Sequence, residues 1–358
     1  MSFTLQIDMT EVTRLTNQGR LGEAMALLQG GKAPAPAKAP ALSRLSLPAF
    51  SDGLNGILGR TLPGRIVPEV PPTSAPGARF EERCFSNQAG TRAYKLYVPS
   101  GYNGQKLPLV VMLHGCTQSP DDFAAGTRMN ELAEEMTFLV VYPCQPQSAN
   151  MSKCWNWYSP GDQGRDHGEP SIIAGTTRAV LDEFSADPGS VYIAGLSAGG
   201  AAAAIMGAAY PDLYSAIGVH SGLACGAARD MPSAFAAMRQ GGNSLRSRTA
   251  APVPTIVFHG DRDSTVSPIN GDQVAAQSKA KAELRIAEED GVSEGGMRFT
   301  RRIETDASGK PVIEHWTLHG AGHAWSGGSA AGSYTDPRGP EASREMMRFF
   351  LQHHLIHA

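Results

Sequence analysis

Long apolar segments and a strong charge of one sign are both missing from this sequence. No stretch approaches the roughly 20 consecutive apolar residues that cross a bilayer, so we expect no membrane span. Charged residues make up 18% of the chain and sum to a net charge of −3, which provides no basic field for nucleic acid or an anionic membrane. Residues 1–20 lack a basic start followed by an apolar stretch, and Asp8 and Glu11 interrupt them. The sequence as written therefore predicts a cytoplasmic protein, secreted only if its start is misassigned.

Metal-binding and nucleotide-binding signatures are missing as well. The five cysteines form no CxxC pair and no Cys/His spacing of the kind that binds zinc, and neither a P-loop nor a dinucleotide fingerprint occurs. We therefore expect neither a metal nor a cofactor. Because disulfides are uncommon in the cytosol, composition by itself favours cysteines that are reduced and buried. The cysteines are Cys84, Cys116, Cys144, Cys154 and Cys225.

Glycine and proline are plentiful, at 40 and 25 residues, and their distribution divides the chain into three parts. Apolar residues at helical spacing predict an N-terminal helical arm over residues 1–30. Residues 31–79 contain a Pro/Ala-rich tract that suits neither a helix nor a central strand, and we interpret them as a linker. Residues 80–358 form the predicted main domain. The arm is interpreted as a packing element, with oligomerisation or docking on a hydrophobic surface as the alternative.

Short apolar strands alternate with helical stretches from residue 80 onward. Such alternation predicts an α/β protein with a mostly parallel central sheet and helices on both of its faces. The predicted strands are Arg92–Val98, Leu109–Leu113, Phe138–Tyr142, Val191–Ala194, Ile217–His220, Thr255–His259, Phe299–Ile303 and Val312–Leu318. The predicted helices are Asn130–Glu135, Ile172–Phe184, Ala198–Ala209, Gly271–Lys281 and Pro340–His354. Residues 224–250 exceed a common connection and form either a cap over the site or an ordinary excursion with one helix.

One serine lies in the context that a nucleophile requires. The sequence GLSAG, from Gly195 to Gly199, follows a predicted strand and precedes an alanine-rich helical stretch. A sharp strand-to-helix turn strains the serine backbone, and the two flanking glycines remove side chains that would clash there. We therefore predict that Ser197 is a nucleophile presented above the edge of the sheet. The amide of Ala198, at the N-terminus of the helix, would donate to an oxyanion.

A serine nucleophile needs a base and an acid, and in this strand–turn–helix arrangement the acid precedes the base in the chain. Asp261 and Asp263 follow the predicted strand Thr255–His259 at the sheet edge that carries the nucleophile, and either carboxylate could orient the base. Downstream, His319 and His323 lie in a glycine-rich loop before the last helix. We predict His323 as the base, because its small neighbours leave the imidazole room to turn toward the serine.

Two other loops are expected at the same edge. The loop HGCTQ should supply the second oxyanion donor, with the amide of Cys116 as the first candidate and that of Thr117 as the alternative. Aromatic side chains at Trp155, Trp157 and Trp325 are expected to line a substrate-binding rim, since an indole offers apolar area and one N–H donor. The alternative is that one or two of these indoles pack in the core.

A set of sequence motifs together resembles the polyhydroxybutyrate depolymerase-like esterases. The motifs are HGCTQS, YPCQPQSA, CWNWY, GLSAGG, YPDLYSAIGVHSGL, HGDRDSTV and GAGHAWSGG, and the likeness covers about residues 80–350. This group is close to the feruloyl and acetylxylan esterases, so the resemblance implies an α/β-hydrolase fold for residues 80–358. The family motif HGxxDxxV places the acid on Asp263, and the other motifs place the nucleophile on Ser197 and the base on His323.

The same resemblance places Cys116 and Cys154 on neighbouring loops and implies that they lie close together, in reach of a disulfide. This differs from the reduced state that composition favours. The sequence departs from its relatives at Cys144, where YPCQ replaces the frequent YPEQ, and at Ala224-Cys225, where many relatives carry Pro-Tyr. These departures leave the predicted catalytic residues intact and concern the identity of the natural substrate.

These observations predict a serine carboxylic-ester hydrolase that cleaves short-chain or hydroxyacyl esters and oligoesters through an acyl-enzyme, without a cofactor. The expected partner is a small or oligomeric ester, and no nucleic acid. The alternatives are a feruloyl or acetylxylan esterase and, from another class, a catalytically silent binding protein on the same fold. Because the sequence shows no separate module for holding a solid polymer, we expect soluble esters to be preferred over crystalline polymer.

Overall fold

The computed structural model of this chain describes residues 75–242, 253–279 and 282–356. The predicted N-terminal arm lies outside the described residues, as do residues 31–74 of the predicted linker and residues 243–250 of the candidate cap. The described residues begin at 75, within the predicted linker, and continue through the predicted main domain; the first strand begins at Arg79, the last residue of that linker.

A ten-stranded sheet forms the centre of this domain. The described strands are β1 (Arg79–Asn87), β2 (Gly90–Val98), β3 (Leu109–Leu113), β4 (Leu139–Pro143), β5 (Val191–Leu196), β6 (Ala216–His220), β7 (Thr255–Gly260), β8 (Arg285–Val292), β9 (Arg298–Thr305), β10 (Pro311–Leu318), β11 (Trp325–Ser326) and β12 (Thr335–Asp336). The first ten form one sheet in the order β1-β2-β4-β3-β5-β6-β7-β10-β9-β8, and β11 pairs with β12.

The central six strands of this sheet, from β4 to β10 in spatial order, are parallel. Antiparallel pairs extend it on both sides, with β2 and β1 at one end and β9 and β8 at the other. The sequence of β3 shows why the centre is parallel and covered: all five of its residues are buried, with Val111 in one core and Val110 in the other. A strand that is apolar on both faces needs helices on both faces, which confirms the predicted architecture.

Helices cover the two faces of the sheet. The described helices are α1 (Pro120–Thr127), α2 (Met129–Met136), α3 (Gly168–Glu183), α4 (Ala198–Ala209), α5 (Met231–Gln240), α6 (Ile269–Ser278) and α7 (Ala342–Phe350). Residues of α3 to α6 belong to one core, and those of α1, α2 and α7 to the other. None of these described helices has the length and hydropathy to cross a membrane.

The described part of the candidate cap, residues 224–242, consists of α5 and its flanking turns. Asp230 begins α5 by accepting the N–H of Ser233, whose side chain accepts the N–H of Asp230 in return, so both form a capping box. The buried Asn270 side chain of α6 donates to the carbonyl of Ala237 at 3.0 Å. The described part of the segment is therefore an excursion with one helix, packed on α6.

The carboxyl ends of the parallel strands meet at one edge of the sheet, and four loops that leave this edge contain predicted site residues. The loop after β3 contains Cys116, β5 runs directly into Ser197, β7 is followed by Asp263, and β10 is followed by His323. In open α/β sheets this edge is where active sites are built.

Candidate active site

Ser197 occupies the turn between β5 and α4 in a strained backbone conformation. Its φ of 57° and ψ of −118° lie in a region that residues other than glycine rarely adopt. The flanking glycines are required by packing, since a Cβ at Gly195 would lie 2.3 Å from the backbone of Gly199, and a Cβ at Gly199 would lie 2.0 Å from the carbonyl oxygen of Leu113. Ser197 is partly exposed, so the turn presents its hydroxyl at the sheet edge.

His323 and Asp263 form a hydrogen-bonded pair at this edge. The Nδ1 atom of His323 lies 2.7 Å from Oδ2 of Asp263, and the N–H groups of Thr265 and Val266 each donate to Oδ1 of Asp263 at 2.9 Å. Burial alone would raise the pKa of Asp263, but the hydrogen bond and charge of His323 and the Val266 N–H hold this pKa below its ordinary value. The carboxylate is therefore ionised and accepts the Nδ1–H of His323, so Nε2 is the ring nitrogen that can exchange a proton with a substrate or the serine.

The second carboxylate of the same loop serves a different histidine. Asp261 lies 3.1 Å from Nδ1 of His319 and accepts the N–H of Gly320 at 2.7 Å. The other ring nitrogen of His319 lies 2.9 Å from Oγ1 of Thr300 on β9. Both Asp261 and His319 keep about a third of their side-chain surface exposed, at 36% and 35%, whereas the side chain of Asp263 is fully buried.

His220 links the nucleophile turn to the loop of His323. Its carbonyl accepts the N–H of Ser197 at 2.9 Å, and its ring Nε2 accepts the N–H of Ser326 at 3.0 Å. The ring is stacked against Trp325 with centroids 5.1 Å apart. Burial lowers the pKa of His220 to about 3, so the ring is neutral and serves as an acceptor. Sequence reasoning missed this role, since His220 is simply the last residue of a predicted strand.

The loop after β3 lies directly beside the nucleophile. A Cβ placed on Gly115 would be 3.7 Å from the Cβ of Ser197. The N–H of Gly115 donates to the side chain of Gln118 at 2.8 Å, and the N–H of Thr117 donates to the carbonyl of Ser152 at 2.7 Å. For the Cys116 N–H, by contrast, the described residues provide no hydrogen-bond acceptor. Of the two predicted amide candidates, that of Cys116 is the one still able to donate to a ligand.

His114 fixes the start of this loop. Its Nδ1 lies 2.8 Å from the carbonyl oxygen of Gly115, and its Nε2 accepts the N–H of Gln145 at 3.1 Å. The indole of Trp155 donates to the His114 carbonyl at 3.1 Å. Burial lowers the pKa of His114 to about 4, which keeps the ring neutral. These bonds give His114 a structural function.

A disulfide joins the loop after β3 to the aromatic loop, the segment after β4 that contains Trp155 and Trp157. Cys116 and Cys154 are bonded, with Cα atoms 4.2 Å apart. This confirms the proximity implied by the resemblance and replaces the reduced state that composition favoured for these two residues. Disulfides persist mainly in oxidising compartments, so the bond weighs against the predicted cytoplasmic location, which stays a prediction.

The three tryptophans differ from the expected exposed rim, because all of them are buried. Trp155 and Trp325 are each 1% exposed and Trp157 is 6% exposed. The Trp325 indole donates to the Ser343 hydroxyl at 3.2 Å and packs edge-on against Phe123. The indole N–H groups of Trp155 and Trp325 donate to protein acceptors, and all three buried indoles support the site loops instead of lining an exposed rim.

Glu169 supports the aromatic loop and was not identified from the sequence as a site residue. Its buried carboxylate accepts the backbone N–H of Asn156 at 2.8 Å and the Asn156 side chain at 2.7 Å, as well as the side chain of Gln145. Burial raises the pKa of Glu169, against the hydrogen bonds from Asn156 and Gln145, which lower it. In the sequence it lies beside Pro170, just before the predicted helix Ile172–Phe184, and this position says nothing about the loop.

Among the described residues, no group of three or more His, Cys, Asp or Glu side chains is arranged to hold a metal ion. The site contains a partly exposed serine on a strained turn, an imidazole oriented by a buried carboxylate, and a backbone N–H that has no acceptor among the described residues. This set is suited to acyl transfer, in which a hydroxyl attacks a carbonyl carbon and an oxyanion forms.

The sheet order, the strained strand-to-helix turn and the loops at its edge define an α/β-hydrolase fold. Solved structures agree with this class. An acetyl xylan esterase from Aspergillus awamori superposes with a TM-score of 0.55, over 77% of this chain and 99% of that one, at 18% sequence identity. At this identity the likeness concerns the fold.

The chain belongs to the Esterase PHB depolymerase family, whose sequence model matches residues 92–286. It is 34% identical over 251 residues to the Poly(3-hydroxyalkanoate) depolymerase C of Paucimonas lemoignei, which covers 67% of this chain and 60% of that protein. It is 33% identical over 140 residues to Feruloyl esterase B of Neurospora crassa, over 39% of this chain and 46% of that protein. The chain thus spans less than two thirds of the length of either relative.

Proposed function

We propose that this protein is a serine carboxylic-ester hydrolase in which Ser197, His323 and Asp263 form the catalytic triad. The observation that carries the proposal is the 2.7 Å contact between His323 and the buried Asp263, at the edge where a strained turn presents Ser197. A buried, hydrogen-bonded carboxylate fixes the tautomer of the imidazole and stabilises its protonated form.

The proposed reaction has two acyl-transfer steps. His323 accepts the hydroxyl proton of Ser197 at Nε2 while the serine oxygen attacks the ester carbonyl carbon, and the N–H groups of Cys116 and Ala198 donate to the resulting oxyanion. Collapse of this intermediate breaks the bond to the alcohol oxygen, which takes the proton from His323 and leaves an acyl ester on Ser197. Water, deprotonated by His323, then attacks this ester; the bond between the acyl carbon and the Ser197 oxygen breaks, that oxygen takes the proton back from His323, and the acid is released.

The proposed substrates are short-chain or hydroxyacyl esters and oligoesters. Support comes from the family and from the similarity to a poly(3-hydroxyalkanoate) depolymerase, which extends over the larger part of this chain. The second candidate, a feruloyl or acetylxylan esterase, is supported by shorter matches such as that to Feruloyl esterase B. A silent binding protein is disfavoured because Asp263 and His323 keep the geometry of an acid–base pair.

Replacement of the nucleophile tests the proposed mechanism. Ser197→Ala should lower kcat for p-nitrophenyl butyrate by about 10⁶-fold, as loss of the nucleophile does in a serine protease, with the circular dichroism spectrum unchanged. The matched control is Ser86→Ala, at an exposed serine of β1. A Ser197→Ala variant that kept a tenth of the activity would remove Ser197 from the reaction.

A substrate panel separates the candidate functions. The proposal predicts faster turnover of 3-hydroxybutyrate oligomers than of methyl ferulate or acetylated xylan, and faster turnover of soluble oligomers than of crystalline polymer. The reverse order between oligomers and ferulate would favour the plant-polymer esterase. Absence of turnover on every ester would favour the silent binding protein.

A further inference from the structure

An exposed tyrosine beside the candidate site has no part in the mechanism above. Tyr334 is 49% exposed and belongs to neither buried core of the domain. Its φ of 53° places the backbone in the left-handed region, which is unusual for a large side chain and is retained where the surroundings enforce it. The surface position and the strained backbone together indicate that the ring is held in place for a purpose other than core packing.

The backbone of Tyr334 is fixed to the loop that contains His323. The carbonyl of Tyr334 accepts the N–H of Trp325, two residues beyond His323, at 2.7 Å. The next residue, Thr335, begins β12, which pairs with β11 at Trp325. The tyrosine therefore keeps a constant position relative to the candidate base.

The preceding residue is fixed to the loop that contains Cys116. Ser333 donates from its backbone N–H and its hydroxyl to the carboxylate of Asp122, at 2.8 and 2.6 Å. The side chain of Gln118 donates to the Ser333 carbonyl at 3.2 Å and accepts the N–H of Gly115 at 2.8 Å. Gly115 lies beside Ser197. The side chain of Gln118 therefore connects the loop after β3 to the residue that precedes Tyr334.

Among the described residues, the phenol of Tyr334 has no strong hydrogen-bond partner and points at the loop after β3. Its oxygen lies 3.4 Å from Oγ1 of Thr117, longer than an ordinary O–H···O hydrogen bond, and Thr117 itself donates to the carbonyl of Cys116 at 2.5 Å. Buried tyrosines of this protein bond at shorter range, such as Tyr142 to Asn130 at 2.8 Å. The phenol can therefore donate to a ligand and give up only this long contact with Thr117.

We propose that Tyr334 is a specificity-determining residue that contacts the acyl chain of a hydroxyacyl ester; this inference rests on the proposed function. Its ring forms an apolar wall beside the Cys116 amide and packs against the methyl and methylene groups of the chain. Its hydroxyl donates to an ester or hydroxyl oxygen of the next unit. A hydroxyacyl oligomer alternates such groups, and tyrosine offers both surfaces in one side chain.

Direct binding tests this role separately from turnover. The methyl ester of the 3-hydroxybutyrate trimer is titrated calorimetrically into Ser197→Ala and into Ser197→Ala combined with Tyr334→Gly or Tyr334→Phe. Glycine removes the ring and also relieves the positive φ, so the fold should be kept, with an unchanged or higher melting temperature. We expect the Kd to rise about tenfold with glycine and about threefold with phenylalanine, which keeps the wall and loses the hydroxyl.

The control is Ile286→Ala in the same background, which removes exposed apolar surface on β8 and should leave the Kd unchanged. In the enzyme with Ser197 intact, Tyr334→Gly should raise KM for the trimer more than it lowers kcat. An equal Kd with and without the ring, no measurable trimer binding, or a loss of binding matched by a fall in melting temperature would each overturn the inference. If Tyr334 controls binding but no ester is turned over, the inference stands and the proposed hydrolase function fails.

Discussion

Asp261 and Asp263 lie two residues apart in one loop, yet their carboxylates contact different histidines. Asp263 turns inward because its Oδ1 accepts two N–H groups of its own loop, from Thr265 and Val266. Asp261 stays near the surface, where Gly320 and His319 donate to it. A hydrogen-bonded contact exposed to solvent contributes little, whereas a desolvated carboxylate strongly affects the group that it orients.

Asparagine substitution at the two positions should therefore give very different enzymes. Asp263→Asn should lower kcat by about 10⁴-fold, because the amide would hold His323 in the wrong tautomer, as in a serine protease. Asp261→Asn, the matched control, should lower kcat only a few-fold, about the worth of an exposed pair. Steady-state kinetics on p-nitrophenyl butyrate measure both. The opposite ranking would transfer the role of the acid to Asp261.

At this scale the sequence predicts chemistry better than exposure. Ser197 was identifiable because a nucleophile turn needs glycines at fixed positions, and its context satisfied that need. The sequence places the tryptophans in loops near the edge of the sheet and so predicts a rim. A position in a loop does not reveal whether an indole such as Trp325 points into solvent or into the core. Tyr334 was missed for the complementary reason, since exposure and a positive φ arise from tertiary contacts and leave no local pattern.

The aromatic loop and the loop after β3 act as one element because covalent and hydrogen bonds join them. The disulfide connects Cys116 to Cys154, the N–H of Thr117 donates to Ser152 at 2.7 Å, and Trp155 donates to the carbonyl of His114. The Cys116 N–H, the proposed oxyanion donor, is thus fixed both by the aromatic loop and by β3, which precedes it in the chain. Such preorganised donors are effective because they need no rearrangement when charge develops.

Removal of the disulfide should affect both stability and catalysis. In Cys154→Ser the unfolded chain regains the freedom of a 38-residue separation, which on the chain-entropy account lowers the free energy of unfolding by about 3–4 kcal/mol. We also expect kcat to fall about tenfold, because the Cys116 amide is less well positioned. Urea unfolding and kinetics on p-nitrophenyl butyrate measure the two effects.

The control for this variant is Cys84→Ser, at an exposed cysteine of β1, which should change neither quantity. Alkylation of the denatured protein without reductant should modify three of its five cysteines, and all five after reduction. An unchanged kcat in Cys154→Ser would limit the disulfide to a stabilising role.

Elements that bury much apolar surface were predictable from the sequence, whereas edge elements were not. The bounds of β3 match the prediction because LVVML is buried at every position. β1 and β8 were missed, since their sequences RFEERCFSN and RIAEEDGV are largely exposed and contain no apolar run. These strands form because they pair with β2 and β9. The sequence of a single strand does not show which neighbour it will pair with.

Across the whole molecule, the cores on both sides of the sheet contain histidines that are buried and neutral. Burial lowers the pKa of His114, His315 and His353 to about 4 and that of His220 to about 3. Their ordinary pKa is about 6.5, so in the unfolded chain they bind protons at a pH where the folded protein excludes them. The unfolded state then gains stability relative to the folded state as the pH falls.

The free energy of unfolding should therefore be highest above about pH 6.5 and should decrease toward about pH 4, where the folded-state histidines begin to titrate. Each such histidine contributes a loss of up to about 1.4 kcal/mol per pH unit within this window. His353 is the clearest to test, because its buried Nε2 has no hydrogen-bond partner among the described residues and its ring lies against Phe349, away from the site loops. In His353→Gln the free energy of unfolding should depend less steeply on pH between about pH 7 and about pH 5 than in the wild type. The difference in slope should correspond to the uptake of about one proton on unfolding, whatever the change in absolute stability.

Urea unfolding across this pH range measures the slope. The matched control is His167→Gln, at an exposed histidine beside the start of α3. Equal slopes in the wild type and His353→Gln would mean that His353 takes up its proton without unfolding, and the cause of acid sensitivity would then lie in the carboxylates.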